Sequence, residues 1–166
     1  LALRAFDNLP PLVAVTGTNG KTTVVSLIAH IINASGKKAQ AVGNIGTPLI
    51  EAFNSKESYP DVFVVELSSF QLGCTATKAF SLGCLLNVTP NHLDWHSSME
   101  EYRQAKERLY SLTRSDGKFF VHESISASFI SEKKADSQII VFGKSPLNKL
   151  SVNEKCISFF AEEASL

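Results

Sequence analysis

Apolar residues in this chain gather into short continuous runs, separated by longer stretches with helical spacing. Leu12 to Val15, Val62 to Val65, Ser81 to Val88 and Gln138 to Gly143 lack the in–out alternation of a half-exposed strand. Such runs predict strands covered on both faces. Lys38 to Val42 and Lys118 to His122 are shorter strand candidates. Val24, Leu27, Ile28 and Ile31 recur at helical intervals and predict a helix from Lys21 to about Ala34, stopped by Ser35-Gly36. A second helix is expected from Thr47, with Pro48 in its first turn. A third covers Met99 to Tyr110, opened by Ser98 with Glu101 three residues later in the pattern of a capping box. Ser124 to Ser131 reads as helix, Asp116-Gly117 as a turn, and Leu150 to Phe160 as a peripheral hairpin. Strands alternating with helices predict an α/β fold in three layers, its sheet mainly parallel and helices on both faces.

The first strand runs into Thr16-Gly17-Thr18-Asn19-Gly20-Lys21-Thr22-Thr23, and the helix starts inside that stretch. Strand, glycine loop, Lys-Thr and helix are the order of a phosphate-binding loop, which makes the expected domain P-loop-type. Glycines let backbone N–H groups curl around an anion, and the unpaired N–H groups of the helix's first turn add partial positive charge. Lys21 reaches the β- and γ-phosphates in such loops, and the Thr22 hydroxyl sits on a phosphate-bound Mg²⁺. Gly17, Thr18, Asn19, Gly20, Lys21, Thr22 and Thr23 are therefore the nucleotide-binding candidates. One departure is visible: the general pattern has glycine where this chain has Val15.

In an open α/β sheet the ligand crevice lies beyond the C-terminal ends of the strands. Polar residues collect there. Gly43-Asn44-Ile45-Gly46 follows the second strand, either as part of the crevice or as a connecting turn capped by Asn44. Glu66 ends an apolar strand and is placed to complete a Mg²⁺ shell, or to be a plain surface acid. Ser68, Ser69 and Gln71 follow it, facing substrate or capping the next helix. His92, Asp94 and His96 are metal ligands by type, although capping by Asp94 and surface histidines explain the same pattern. Tyr102 and Lys106 share a helix face, within a charged run that also reads as a solvated surface.

Composition removes several function classes. Sixteen basic residues balance sixteen acidic ones, so the basic excess behind nucleic-acid affinity is missing. No apolar run approaches the roughly 20 residues of a membrane span, and no signal peptide is visible. Cys74, Cys84 and Cys156 have no paired or CxxC spacing, which predicts reduced thiols in a cytoplasmic protein and no zinc site. The chain is about one domain long. Leu1 to Pro11 reads as a linker and residues 12–166 as the domain, and the missing initiator methionine suggests a piece of a longer protein.

Several of these stretches together resemble the Mur ligase family, the enzymes that build the peptide stem of peptidoglycan, in their central ATP-binding domain. The carrying residues are Thr16 to Thr23, Gly43 to Gly46, Glu66 to Leu72, Asn87 to Asp94 and Tyr102 to Lys106, spanning about Leu12 to Gly143. The family's phosphate loop also lacks the outer glycine, so Val15 is expected. Gly43 to Gly46 and Glu66 to Leu72 are most similar to the members that add D-glutamate to UDP-N-acetylmuramoyl-L-alanine. The resemblance implies a two-step ligation through an acyl phosphate. It implies ATP and two Mg²⁺ ions as cofactors. Lys21 and Thr22 would hold the phosphates and the first ion with Glu66; His92 and a carbamylated Lys106 would hold the second. Asn44, Ser68 and Gln71 would contact the muramoyl substrate, while Asn91 receives no role. The family's flanking domains, one gripping the uridine nucleotide and one bringing the amino acid, would be missing partners, and the fragment alone is expected not to turn over.

Three rivals remain open at this level. A GTPase-like switch would need an Asn-Lys-x-Asp guanine reader, and Asn148-Lys149-Leu150-Ser151 has serine in the last place. A related Mur or folate-polyglutamate ligase is disfavoured by the Glu66 to Leu72 stretch. A purely structural α/β domain is disfavoured by the polar residues at strand ends.

Overall fold

The computed structural model describes residues 9–54, 58–91, 95–125, 129, 139–145, 150–152 and 157–159. Eight strands form one sheet in the order β2-β3-β1-β4-β5-β6-β7-β8. They are β1 (Leu12–Thr16), β2 (Ala39–Gly43), β3 (Val62–Glu66), β4 (Phe80–Leu85), β5 (Thr113–His122), β6 (Ile139–Gly143), β7 (Leu150–Val152) and β8 (Ile157–Phe159). Every neighbouring pair is parallel except β7 with β8, which is the expected peripheral hairpin. The helices given in full by the described residues are α1 (Lys21–Ala34), α2 (Leu49–Asn54), α3 (Ser69–Gly73) and α4 (Met99–Leu112).

The two faces of the sheet carry two separate apolar cores. On one, Ala14, Phe63, Val65, Leu85, Phe119 and Val121 pack with Phe53 of α2, Leu72 of α3 and Leu109 and Leu112 of α4. On the other, Val15 and Val64 pack with Val25 and Ala29 of α1. The three-layer α/β expectation therefore holds, and the reason is visible in β1: alternate residues face opposite cores, so the strand has no polar side. Val15 is fully buried strand backbone, one residue before the chain turns, which leaves no need for glycine there.

Several boundaries move. The second helix starts at Leu49, not Thr47, because Thr47 O accepts from Gly43 N at 3.0 Å and closes the preceding loop instead. β4 spans Phe80–Leu85, so Leu86 to Val88 leave the strand that the apolar run suggested. Asp116-Gly117 does not end an element: β5 runs through it, with a bulge. Phe80 pairs with Thr113 and Leu82 with Lys118, so residues 114–117 loop out against a single step of β4. Helical backbone is present at residues 123–125 and 129, while the rest of Ser124 to Ser131 lies outside the described residues. The capping of α4 is also rearranged. Ser98 Oγ accepts from Glu101 N at 3.1 Å, but the Glu101 carboxylate takes the N–H and hydroxyl of Ser97 rather than the N–H of Ser98.

Candidate nucleotide and metal site

Register places the site. Val15 of β1, Glu66 of β3 and Gly43 of β2 stand side by side, and Thr16 pairs with Leu85 of β4. The four strands end together, so the loops after them share one crevice.

Gly20 is the N-cap of α1, at φ +79°, and offers no side chain to the helix end. The first helical bond runs from Val24 N to Gly20 O at 3.0 Å, so the N–H groups of Lys21, Thr22 and Thr23 precede it. No acidic residue occupies that first turn. A 14-residue helix whose start has no side-chain cap and no acid, and carries the Lys21 cation, is suited to a polyanion. Lys21 Nζ is folded onto the loop, donating to Gly17 O and Thr18 O at 3.0 Å each.

Glu66 ties three elements together. The Thr22 hydroxyl donates to its Oε2 at 2.7 Å, and Asn44 Nδ2 donates to its Oε1 at 3.1 Å. Asn44 N also donates to the Glu66 carbonyl at 3.0 Å. The acid is 2% exposed, so the surface alternative is excluded. Gly43 makes the approach possible. At φ +107° a Cβ there would run into the Glu66 carbonyl oxygen. A carboxylate beside a hydroxyl at a helix start is the hard oxygen set that Mg²⁺ takes when phosphates complete its shell. Thr22 and Glu66 fit that ion; among the described residues there is no cluster of three or more His, Cys, Asp or Glu side chains that would suit another metal.

Lys106 enters from the opposite face. It is 2% exposed, and its Nζ donates to Gly17 O at 2.9 Å while lying 4.6 Å from the centre of the Tyr102 ring. Burial first, and the nearby Lys21 charge second, push its pKa down from 10.5 to about 8. The charged run of α4 is therefore a solvated surface on one side only: Tyr102, Lys106, Leu109 and Leu112 form its buried face. Tyr102 was paired with Lys106 in sequence, yet its contact to the loop was not foreseen. Its hydroxyl lies 3.2 Å from Thr18 Oγ1.

Other candidates divide. Ser68 and Gln71 form a reciprocal cap on α3, Ser68 Oγ accepting from Gln71 N and Gln71 Oε1 accepting from Ser68 N at 2.9 Å. His96 is buried at 5%, with Nε2 2.9 Å from Ser69 Oγ and its ring stacked on Phe70. Its Nδ1 has no hydrogen-bond partner among the described residues; Glu101 Oε1 is 3.9 Å away. That placement makes His96 a packing residue of the α3–α4 junction rather than a surface histidine. His92, Asp94 and the Asn148-Lys149 pair lie outside the described residues. Asn87, which no motif chemistry singled out, holds the phosphate loop through its side chain. Its visible signals were an amide within the apolar run Ser81 to Val88 and its place at the head of the Asn87 to Asp94 stretch.

Comparison with known proteins identifies the family. The Mur ligase middle domain profile matches residues 15–165. A UDP-N-acetylmuramoylalanine–D-glutamate ligase of Legionella pneumophila (strain Lens) is 41% identical over 134 residues, covering 81% of this chain and 29% of the relative. The protein of that name from Streptomyces avermitilis is 49% identical over 104 residues, covering 63% and 22%. The chain thus spans less than a third of the curated relatives it matches. Among solved structures, MurF from Acinetobacter baumannii superposes with a TM-score of 0.70 at 18% identity, over 92% of this chain and 35% of that one. MurF ligase from Thermotoga maritima in complex with ADP gives 0.69 at 17% identity, over 92% and 36%. At such identities the structures speak for the shared fold.

Proposed function

The chain belongs to the Mur ligase family, as its middle domain, and from that premise we propose that it is the ATP-binding core of a longer ligase that joins D-glutamate to UDP-N-acetylmuramoyl-L-alanine. The choice of amino acid follows the names of the relatives at 41% and 49% identity. The observation that carries the ATP reading is the 2.7 Å bond from Thr22 to Glu66, which locks the start of α1 to the end of β3 beside the phosphate loop.

In the proposed reaction a carboxylate oxygen of the muramoyl-alanine attacks the γ-phosphorus of ATP. The bond to the β,γ-bridging oxygen breaks, ADP leaves, and an acyl phosphate remains. The D-glutamate amine then attacks the acyl carbon, phosphate departs with the electron pair of the C–O bond, and the amine gives up a proton to solvent. Both reactants of the first step are anions, so charge is the main obstacle. The N–H groups opening α1 bind the polyphosphate, and Lys21 exchanges its loop carbonyls for phosphate oxygens. Thr22 and Glu66 would hold a Mg²⁺ ion, which when bound supplies charge neutralisation. Lys106, whose pKa burial lowers to about 8 so that the neutral amine is more accessible than in a free lysine, suits carbamylation, and with His92 it would serve a second ion. Asn44 orients Glu66 and, with Ser68 and Gln71, is assigned to the muramoyl substrate. The free thiols of Cys74 and Cys84 support a cytoplasmic location; among the described residues no helix is long and apolar enough to cross a membrane.

Phosphate release by the full-length protein tests this directly. Release should require ATP, UDP-N-acetylmuramoyl-L-alanine and D-glutamate together, and GTP should not replace ATP. Turnover with a folate and L-glutamate, or without D-glutamate, would overturn the substrate assignment. The domain alone is expected to release no phosphate, because it spans less than a third of the curated relatives it matches.

A further inference from the structure

Backbone geometry alone does not hold the phosphate loop in shape. The Asn87 side chain lies between the loop and the end of β4. Its Oδ1 accepts from Thr18 N at 3.0 Å and from Asn19 N at 2.9 Å, and its Nδ2 donates to Asn19 O at 3.0 Å. One acceptor facing two N–H groups and one donor facing a carbonyl is a demand only one amide orientation meets. A carboxylate would set negative charge against the Asn19 carbonyl, and alanine would leave all three loop groups without that partner. The loop is thereby split in function. The N–H groups of Thr18 and Asn19 are already committed to protein, and those of the first turn of α1 are not committed by helix bonds.

We propose that Asn87 is a positioning residue for nucleotide binding, holding residues 18–19 so that the first turn of α1 presents its N–H groups to the polyphosphate before ATP arrives. This rests on reading the loop as the nucleotide site. Pre-forming the loop removes an ordering cost that would otherwise oppose binding. Asn87 touches no substrate itself. Its removal should weaken ATP binding and leave the other two substrates alone.

The test is steady-state kinetics of the full-length enzyme carrying Asn87→Ala. Loss of three partly exposed hydrogen bonds should raise the ATP KM about tenfold. The KM values for the UDP-substrate and D-glutamate should stay within about twofold, as should kcat at saturating ATP. Calorimetric titration with a non-hydrolysable ATP analogue should show the same loss in affinity. Folding should survive, because the backbone bonds from Thr18 N to Asn87 O and from Leu86 N to Thr16 O, both at 3.0 Å, do not need the side chain. If Asn87→Ala does not fold, the isosteric Asn87→Asp carries the same test with the same rise expected. An unchanged ATP KM, or an equal rise in all three KM values, would overturn the proposal. Lys21→Ala serves as the control. If Lys21→Ala abolishes ATP use while Asn87 variants bind ATP normally, the positioning role alone fails. If Lys21→Ala is also silent, the nucleotide reading of the loop fails with it.

Discussion

Helices α1 and α4 pack on opposite faces of the sheet and each sends one lysine to the same atom. Lys21 donates to the Gly17 carbonyl at 3.0 Å and Lys106 at 2.9 Å. The two ammonium groups are alike in chemistry and differ in solvent. Lys21 is half-buried at the start of α1, where a cation opposes the helix dipole and gains from an anion arriving. Lys106 is sealed under the sheet, and its charge is opposed both by burial and by Lys21. One carbonyl oxygen thus separates a lysine open to solvent and to an arriving anion from a lysine whose pKa is lowered to about 8. The difference comes from burial, not from residue type.

The contrast breaks most easily at Lys21. Lys21→Ala in the full-length enzyme should cut kcat/KM by roughly 10²–10³-fold, the scale for removing one stabiliser of developing charge. The melting temperature should hardly move, since the side chain bonds only to loop carbonyls. A comparable loss of activity with an unfolded protein would mean that Lys21 is structural.

The next largest effect should fall on the frame. Gly43→Ala forces a Cβ into the Glu66 carbonyl at a φ of +107°, and a cost of about 2–3 kcal/mol is expected from strain of this kind. Chemical denaturation would measure it. Activity should fall further than stability, because Glu66 is displaced from Thr22.

Titration sharpens the contrast. A folded-state pKa of about 8 against 10.5 unfolded means that the unfolded chain binds more protons between those values. Stability should therefore carry a penalty that is complete below about pH 8 and disappears as pH rises towards 10.5. Lys106→Met, which removes the charge but keeps the bulk, should lack this slope. Its stability relative to the parent should be highest near pH 7 and shrink above pH 8, read by denaturant midpoints across that range. Parallel pH curves for the two proteins would mean that Lys106 is not desolvated.

The smallest effect belongs to the start of α4. Ser98→Ala removes the side-chain acceptor for Glu101 N and should cost about 1 kcal/mol. The ATP KM should not change, since the cap lies two turns from Lys106. A raised KM would show that fraying at the helix start reaches the loop.

Legibility followed sequence distance. The strand, glycine loop and helix from Leu12 to Ala34 were readable because local rules act over a few residues: apolar runs, a glycine in the left-handed region, and helical spacing. The helix face was misplaced, since Leu27 and Ile31 are exposed and Val25 and Ala29 are buried. Glu66 was readable as an acid ending an apolar run, though not its clasp by Thr22 and Asn44. Lys106 was ambiguous, since a charged helix looks the same whether or not one stripe is buried. Ser68 and Gln71 carried two readings at once, and the cap is the one whose bonds are seen. Asn87 went unassigned because its partners lie 68 and 69 residues earlier. Asp116-Gly117 leaves the ladder within the 114–117 bulge but does not end β5, and α2 starts at Leu49, directly after Pro48, because a loop-closing bond takes the Thr47 carbonyl.

Periodicity and glycine placement were enough to specify layers, strand direction and a loop able to hold phosphate, because those features follow from backbone sterics and from burying apolar faces. Which carboxylate meets which hydroxyl, which lysine loses its water and which amide braces the loop were settled only when four strand ends came into register. Hydrogen bonds and desolvation act through space over a few ångströms, and the order of residues along the chain does not encode those distances.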